Sequence, residues 1–136
     1  HKCYNAKNTN TPFVILGSGN CKRQFLYNGD MARIIKWAVE KDMDKKHEIY
    51  ICSSDEEESS INDIAKIIAN TLEYDETNIV HTNSEEGQYR KPCSNKLLLK
   101  EIGKTNQSFK FSNFEEKLKK TIKWFVDNYD DDMIRK

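Results

Sequence analysis

The chain has 136 residues, enough for one domain with a real core, since a chain of about 150 residues hides roughly two-thirds of its unfolded surface. Apolar residues make up 37% and charged residues 32%, with 22 basic side chains against 22 acidic ones, so the net charge is zero. That balance excludes a global pull toward nucleic acid or anionic membrane, and any anion site has to be local.

The four cysteines, Cys3, Cys21, Cys52 and Cys93, are scattered and form no Cys-x-x-Cys pair. Neither a zinc site nor a disulfide scaffold is expected, and four reduced thiols in a cytosolic protein are the simpler reading. Asn106-Gln107-Ser108 fits a glycosylation acceptor, but such triplets are common by chance and carry no meaning in the cytosol. No apolar run approaches the roughly 18 residues of a membrane span. The opening His1-Lys2-Cys3-Tyr4-Asn5 is no signal peptide and lacks an initial Met, so the chain is expected to start inside a longer one.

Residues 1–11 read as the tail of a helix and a polar loop. Phe13-Val14-Ile15-Leu16 is a short apolar run ended by Gly17-Ser18-Gly19-Asn20, which predicts a buried strand entering a tight turn. Asp30 is expected to open a helix, favoured by the positive end of the helix dipole. Met31, Ile34, Ile35 and Ala38 recur there at helical spacing, with Trp37 alongside. Residues 48–52 read as a strand, and 53–58 as an acidic loop. Ser60 and Asp63 form a variant capping box before Ile61, Ile64, Ala65, Ile68 and Leu72. Residues 78–81 predict a third strand and 82–95 a long polar loop. A short helix over 96–102 is expected to stop at Gly103. Residues 109–111 suggest a small strand. Asn113 with Glu116 caps a final helix marked by Phe114, Leu118, Ile122, Phe125 and Tyr129, and 130–136 are expected to fray. Strands alternating with helices place the chain in the α/β class. About three short strands are few for a lone domain, so a partner domain is expected.

Two loops hold residues that could carry chemistry. Gly17-Ser18-Gly19-Asn20-Cys21-Lys22-Arg23 resembles a dinucleotide loop only weakly, because Lys22 stands where a third glycine belongs; a strand-ending turn is the simpler reading. Arg23 is either a surface arginine or a guanidinium fork aimed at a phosphate while Phe25 packs inward. In Glu85-Glu86-Gly87-Gln88-Tyr89-Arg90-Lys91 a carboxylate suited to vicinal ribose hydroxyls adjoins bases suited to phosphate, though a solvated loop has the same composition. His47 is expected in an exposed loop, and His81 in a hydrogen-bonded structural role. The run Asp55 to Glu58 reads as a solvated face rather than a metal site. Trp37 and Trp124 are expected in the core.

The stretch Ile15-Leu16-Gly17-Ser18-Gly19-Asn20-Cys21-Lys22-Arg23-Gln24-Phe25-Leu26-Tyr27, followed by Asp30-Met31-Ala32, closely resembles the GDP-L-fucose synthases, extended short-chain dehydrogenase/reductases. Glu86-Gly87-Gln88-Tyr89-Arg90-Lys91, then Ser94-Asn95-Lys96-Leu97, fits the same family, as do the opening His1-Lys2 and the closing run from Lys123 to Tyr129. The Arg-x-Phe…Asp-Met-Ala element is shared widely among sugar-nucleotide epimerases and dehydratases; the Gly-Gln-Tyr-Arg-Lys loop is more specific. The resemblance implies the small C-terminal substrate-binding lobe of such an enzyme over residues 1–136, without the Rossmann domain. It implies an NADP-dependent epimerase and reductase that turns GDP-4-dehydro-6-deoxy-D-mannose into GDP-L-fucose, in a homodimeric parent whose isolated lobe is monomeric. Arg23 then falls at the diphosphate, Lys91 at a second diphosphate contact, and Glu86, in place of an aspartate, at the guanosine ribose. Lys2 matches a basic residue that reaches the substrate. Leu16 takes a position that is typically Trp in the family, which removes a stacking surface.

Absent from the sequence are a Gly-x-x-Gly-x-x-Gly loop and a Tyr-x-x-x-Lys pair, since none of the six tyrosines has a lysine four residues later. In the family that pair and a nearby serine handle proton and hydride chemistry, so NADPH is expected on a domain upstream and this part alone is expected to be inactive, with no catalytic residue and no metal. His1 and Cys3 are not the family's epimerisation pair. The rival expectations are a substrate domain for UDP- or dTDP-sugars and a non-catalytic α/β interaction module with an idle pocket. An exposed apolar face toward the missing domain is expected in either enzyme.

Overall fold

Alternation decides the first strand: in β1 (Phe13–Ile15) the Phe13 and Ile15 side chains are buried and Val14 faces out. The structure, a computed structural model, describes residues 1–41, 48–54, 58–105 and 108–130. The expectations for His47, for Asp55, Glu56 and Glu57, for the triplet beginning at Asn106 and for residues 131–136 lie outside the described residues.

β1 pairs in parallel with β4 (Ile79–His81), with Phe13 opposite Ile79 and Ile15 opposite His81. Parallel strands need a crossover. Here it carries β2 (Lys22–Arg23), α2 (Asn28–Glu40), β3 (Ser59–Ser60), α3 (Ile61–Thr71) and a 3-10 turn, Glu76–Asn78. β2 and β3 form a second, antiparallel pair, Lys22 opposite Ser60 and Arg23 opposite Ser59. α1 (Lys2–Thr9) precedes β1, while α4 (Lys96–Lys104) and α5 (Phe114–Asn128) follow β4. The arrangement is a small α/β fold, as the sequence suggests.

Capping side chains set two helix starts, and a left-handed residue ends a third helix. Asp63 N–H donates to Ser60 Oγ at 3.0 Å and Ser60 N–H donates to Asp63 Oδ2 at 3.0 Å, the reciprocal capping box. Glu116 N–H donates to Asn113 Oδ1 at 2.9 Å and starts α5. Asn10 ends α1 in the left-handed region, φ 52°, where Asn is tolerated. A cap of the Ser or Asn kind contributes roughly 1 kcal/mol.

Two apolar clusters form. One gathers Cys3 and Ala6 of α1, Phe13 and Ile15 of β1, Ala65 and Ala69 of α3 and Ile122 of α5. The other joins Ile34 and Trp37 of α2 to Leu98 and Ile102 of α4, with Phe109 and Phe111 packed against them. Fully burying a side chain such as Leu98 contributes about 1.5–3 kcal/mol. The buried Asp30 ties α2 to the segment before α5: its carboxylate accepts from Ser112 N–H at 2.9 Å and Ser112 Oγ at 3.0 Å. The outer face of the β1–β4 pair leaves Val14 and Val80 exposed, with exposed Leu16 just beyond.

Several expectations give way. Residues 48–52 form no strand; Tyr50 and Cys52 pack on the second cluster instead. Residues 109–111 likewise form no strand. Their two phenylalanines meet edge to face at 4.9 Å between centroids, and Lys110 O accepts from Arg33 Nη1 at 3.1 Å. Gly103 does not stop α4, which runs to Lys104; only Gly17 and Gly19 among the glycines take positive φ. α2 begins at Asn28 rather than Asp30, and its inner face is Asp30, Ile34 and Trp37, leaving Ile35 exposed. Trp37 is core as expected, but Trp124 is 64% exposed.

Candidate functional site

The turn after β1 is built on two left-handed glycines, Gly17 at φ 74° and Gly19 at φ 73°. Gly19 sits against the start of α3, where a Cβ would overlap the Asn62 side-chain amide. That contact is deliberate packing. Asn62 N–H donates to Gly19 O at 3.0 Å, and Ile61 N–H donates to Cys21 O at 3.2 Å. Asn62 Nδ2 donates to Ser18 O at 3.0 Å, and Asn62 Oδ1 lies 2.8 Å from His81 Nε2. The turn therefore consumes N–H groups at the α3 terminus that would otherwise face an anion. His81 has the hydrogen-bonded structural role the sequence suggests.

The loop after β4 folds onto this turn. Glu86 Oε1 accepts from Ser18 N–H at 2.6 Å, and Glu86 Oε2 lies 4.0 Å from the Cys21 thiol. Ser18, through its hydroxyl and then its N–H, holds the Glu86 carboxyl below the ordinary carboxylate range. Lys22 N–H donates to Tyr89 O at 2.8 Å, and Lys22 bridges to Arg90 in parallel. Arg23 Nη1 donates to Lys22 O at 2.6 Å and to Tyr89 O at 3.3 Å. These partners are carbonyls, and among the described residues no carboxylate pairs with it.

The two bases of the loop differ in surroundings. Arg90 Nε donates to Glu58 Oε2 at 2.6 Å, and its guanidinium forms an ion pair with the same carboxylate. That pairing pushes the Arg90 pKa up and commits its charge. Among the described residues the exposed Lys91 side chain makes no hydrogen bond or ion pair.

Of the five candidate residues, the fold brings Arg23, Glu86 and Lys91 to one turn-and-loop cluster. Leu16 stands at its edge, 66% exposed, where β1 enters the turn. Lys2 lies on α1 and joins none of these loops through a hydrogen bond or ion pair. Sequence reading passed over Gln24, Glu58 and Asn62, whose partners lie 19 or more residues away and leave no local signal.

The glycine turn does not fit a dinucleotide phosphate. Gly17 N–H donates to Thr82 Oγ1 at 3.2 Å, Ser18 N–H is held by the Glu86 carboxylate, and Asn20 N–H donates to Ser18 Oγ at 3.1 Å. A carboxylate stands where pyrophosphate oxygens would need to approach. Among the described residues no group of three His, Cys, Asp or Glu side chains is placed to hold a metal. All four cysteines are free thiols, and no described helix is long and apolar enough to cross a membrane.

Residues 1–53 match the NAD dependent epimerase/dehydratase family. A GDP-L-fucose synthase from Dictyostelium discoideum is 32% identical over 96% of this chain. A crystal structure of a GDP-L-fucose synthetase from Naegleria fowleri bound to NADP superimposes over the whole chain with a TM-score of 0.84 at 36% identity. This chain is a homologue of the GDP-L-fucose synthases. The chain spans 39% of the length of the Dictyostelium relative and 40% of the Naegleria one. A UDP-N-acetylglucosamine 4-epimerase from Methanobrevibacter ruminantium, in complex with UDP-N-acetylmuramic acid, matches less closely: 25% identity and a TM-score of 0.71, over 93% of this chain and 38% of that one.

Proposed function

We propose that this region is the GDP-sugar-binding part of an enzyme that epimerises GDP-4-dehydro-6-deoxy-D-mannose and reduces it with NADPH to GDP-L-fucose. One observation carries the assignment. The 86–91 loop is bound to the segment holding Arg23 in such a way that Arg90 is neutralised by Glu58 while Lys91 has no side-chain partner among the described residues. Arg23 and Lys91 then address the diphosphate. Glu86 exchanges its contact with Ser18 N–H for ribose hydroxyls, or keeps one oxygen on each. Lys2 and Leu16 complete the sugar side. Hydride and proton transfer belong to the rest of the longer protein, where NADPH is held, and the apolar face at Val14, Leu16 and Val80 packs against that part. The free thiols agree with a cytosolic setting.

The test is calorimetric titration of GDP, with UDP and dTDP as controls, into the full-length protein. GDP is expected to bind selectively. Arg23→Ala and Lys91→Ala are each expected to weaken it roughly ten- to a hundredfold, the worth of a hydrogen bond to a charged group. Equal binding of the three nucleotides assigns the region to another sugar-nucleotide epimerase or dehydratase. Binding of none of them makes it an idle α/β module, the outcome that the exposed Leu16 in a Trp position would favour.

A further inference from the structure

Gln24 follows Arg23 directly, yet its side-chain amide faces a segment 69 residues away. Cys93 N–H donates to Gln24 Oε1 at 2.7 Å, and Gln24 Nε2 donates to Cys93 O at 3.3 Å. The pair imitates one rung of a β-ladder, with a side chain standing in for a strand. The same Nε2 also reaches Ser54 O at 3.4 Å. Four residues earlier the loop is tied again, by Lys22 N–H to Tyr89 O at 2.8 Å. Between the two ties stand Arg90, held by Glu58, Lys91, without a side-chain partner among the described residues, and Pro92, whose ring fixes its own φ. Lys91 is thus carried on a short span anchored at both ends, and both anchors are neighbours of Arg23.

We propose that Gln24 is a positioning residue for nucleoside diphosphate binding, clamping the Cys93 peptide so that Lys91 is held at a set distance from Arg23 and both cations reach one diphosphate. The proposal rests on the function argued above. It goes further by making affinity depend on a side chain that touches no ligand. A side chain of equal length without the amide, methionine, removes both rung bonds while filling the same space. Glutamate keeps the acceptor for Cys93 N–H but turns a second acceptor toward two carbonyls, an unsatisfied arrangement.

The experiment is a double-mutant cycle in the full-length protein, read as the Kd for GDP with Gln24→Met, Lys91→Ala and the double variant. Gln24→Met is expected to weaken GDP about tenfold, or 1.4 kcal/mol. In the Lys91→Ala background the same substitution is expected to change Kd less than about twofold, because the cation it positions is gone. Unchanged GDP affinity in Gln24→Met overturns the proposal, and so does an equal loss in both backgrounds, which a merely structural role predicts. If Gln24→Met fails to fold, Gln24→Glu is read the same way; failure of both to fold assigns Gln24 to the fold and overturns it. Wild-type protein that does not bind GDP overturns the function itself. Wild type that loses GDP on Lys91→Ala but not on Gln24→Met overturns this inference alone.

Discussion

The Glu86 carboxylate accepts a hydrogen bond from the Ser18 N–H at 2.6 Å, and this contact joins the long loop after β4 to the glycine turn after β1. Hydrogen bonding by Ser18 lowers the Glu86 pKa in the folded protein. A lowered carboxyl pKa contributes stability that is fully present above the unfolded value, about 4.3 for glutamate, and lost as pH falls through the folded value. The Ser18 amide resonance, followed by NMR during acid titration, is therefore expected to move with a midpoint below the ordinary glutamate value of about 4.3. A midpoint at or above the ordinary glutamate value would show that the tie does not form.

The two turn glycines are expected to differ in tolerance. At Gly17 an added Cβ meets Glu86 Cγ at 3.2 Å, a flexible side chain able to yield, so Gly17→Ala mainly pays the left-handed cost of about 1–2 kcal/mol. At Gly19 the Cβ overlaps the Asn62 amide, which is held by hydrogen bonds to Ser18 O, Asn20 Oδ1 and His81 Nε2, so Gly19→Ala is expected to cost more and to loosen the turn. Chemical denaturation of both variants checks the order; equal losses would refute the packing argument.

Asp30 is 2% exposed and accepts from both the N–H and the hydroxyl of Ser112, 82 residues away. Asp30→Ala leaves those donors without an acceptor and is expected to destabilise the fold by about 1.5–3 kcal/mol. Asp30→Asn retains one acceptor oxygen and is expected to cost less. An alanine variant as stable as wild type would remove this tie from the account.

Ser60 is linked to the site through α3, because the helix it caps donates its first N–H groups to the glycine turn. Ser60→Ala is expected to cost about 1 kcal/mol, seen as a lowered denaturation midpoint. The cap also has a pH sense. Hydrogen bonds from the Ser60 hydroxyl and then its N–H lower the Asp63 pKa, so the Asp63 contribution stands above about 3.9 and fades as pH falls below it. In Ser60→Ala that acid dependence is expected to shrink; an unchanged acid limb would show that Asp63 acts elsewhere.

Local rules made much of this protein legible. Helix caps at Ser60 and Asn113 act within three residues, so their pattern is written in adjacent letters and the structure keeps both. The apolar run at Phe13 to Ile15 and the helical spacing of α3 and α5 are local in the same way. Where a feature depends on what lies opposite, the letters misled. Residues 48–52 and 109–111 have strand-like composition but pair with no strand, and their side chains serve a helix-lined cluster instead. Trp124 shares the amphipathic helix of Ile122 yet projects outward, because facing elements and not residue type choose which stripe is covered.

The candidate site divides along the same line. The sequence by itself determined that an arginine, a carboxylate and a lysine occur in two polar loops beside glycines, and its resemblance to GDP-L-fucose synthases singled out Arg23, Glu86 and Lys91 among many charged residues. It also determined the left-handed turn, since Gly17 and Gly19 accept positive φ without a Cβ penalty. Only the tertiary structure decided that Arg90 is neutralised by Glu58 while Lys91 beside it is not, that Gln24 clamps Cys93, and that Asn62 closes the helix terminus against the turn. The physical reason is distance along the chain: each of these contacts joins residues more than 30 positions apart, and hydrogen-bond partners at that separation are chosen by the packing of the crossover, not by any neighbouring residue.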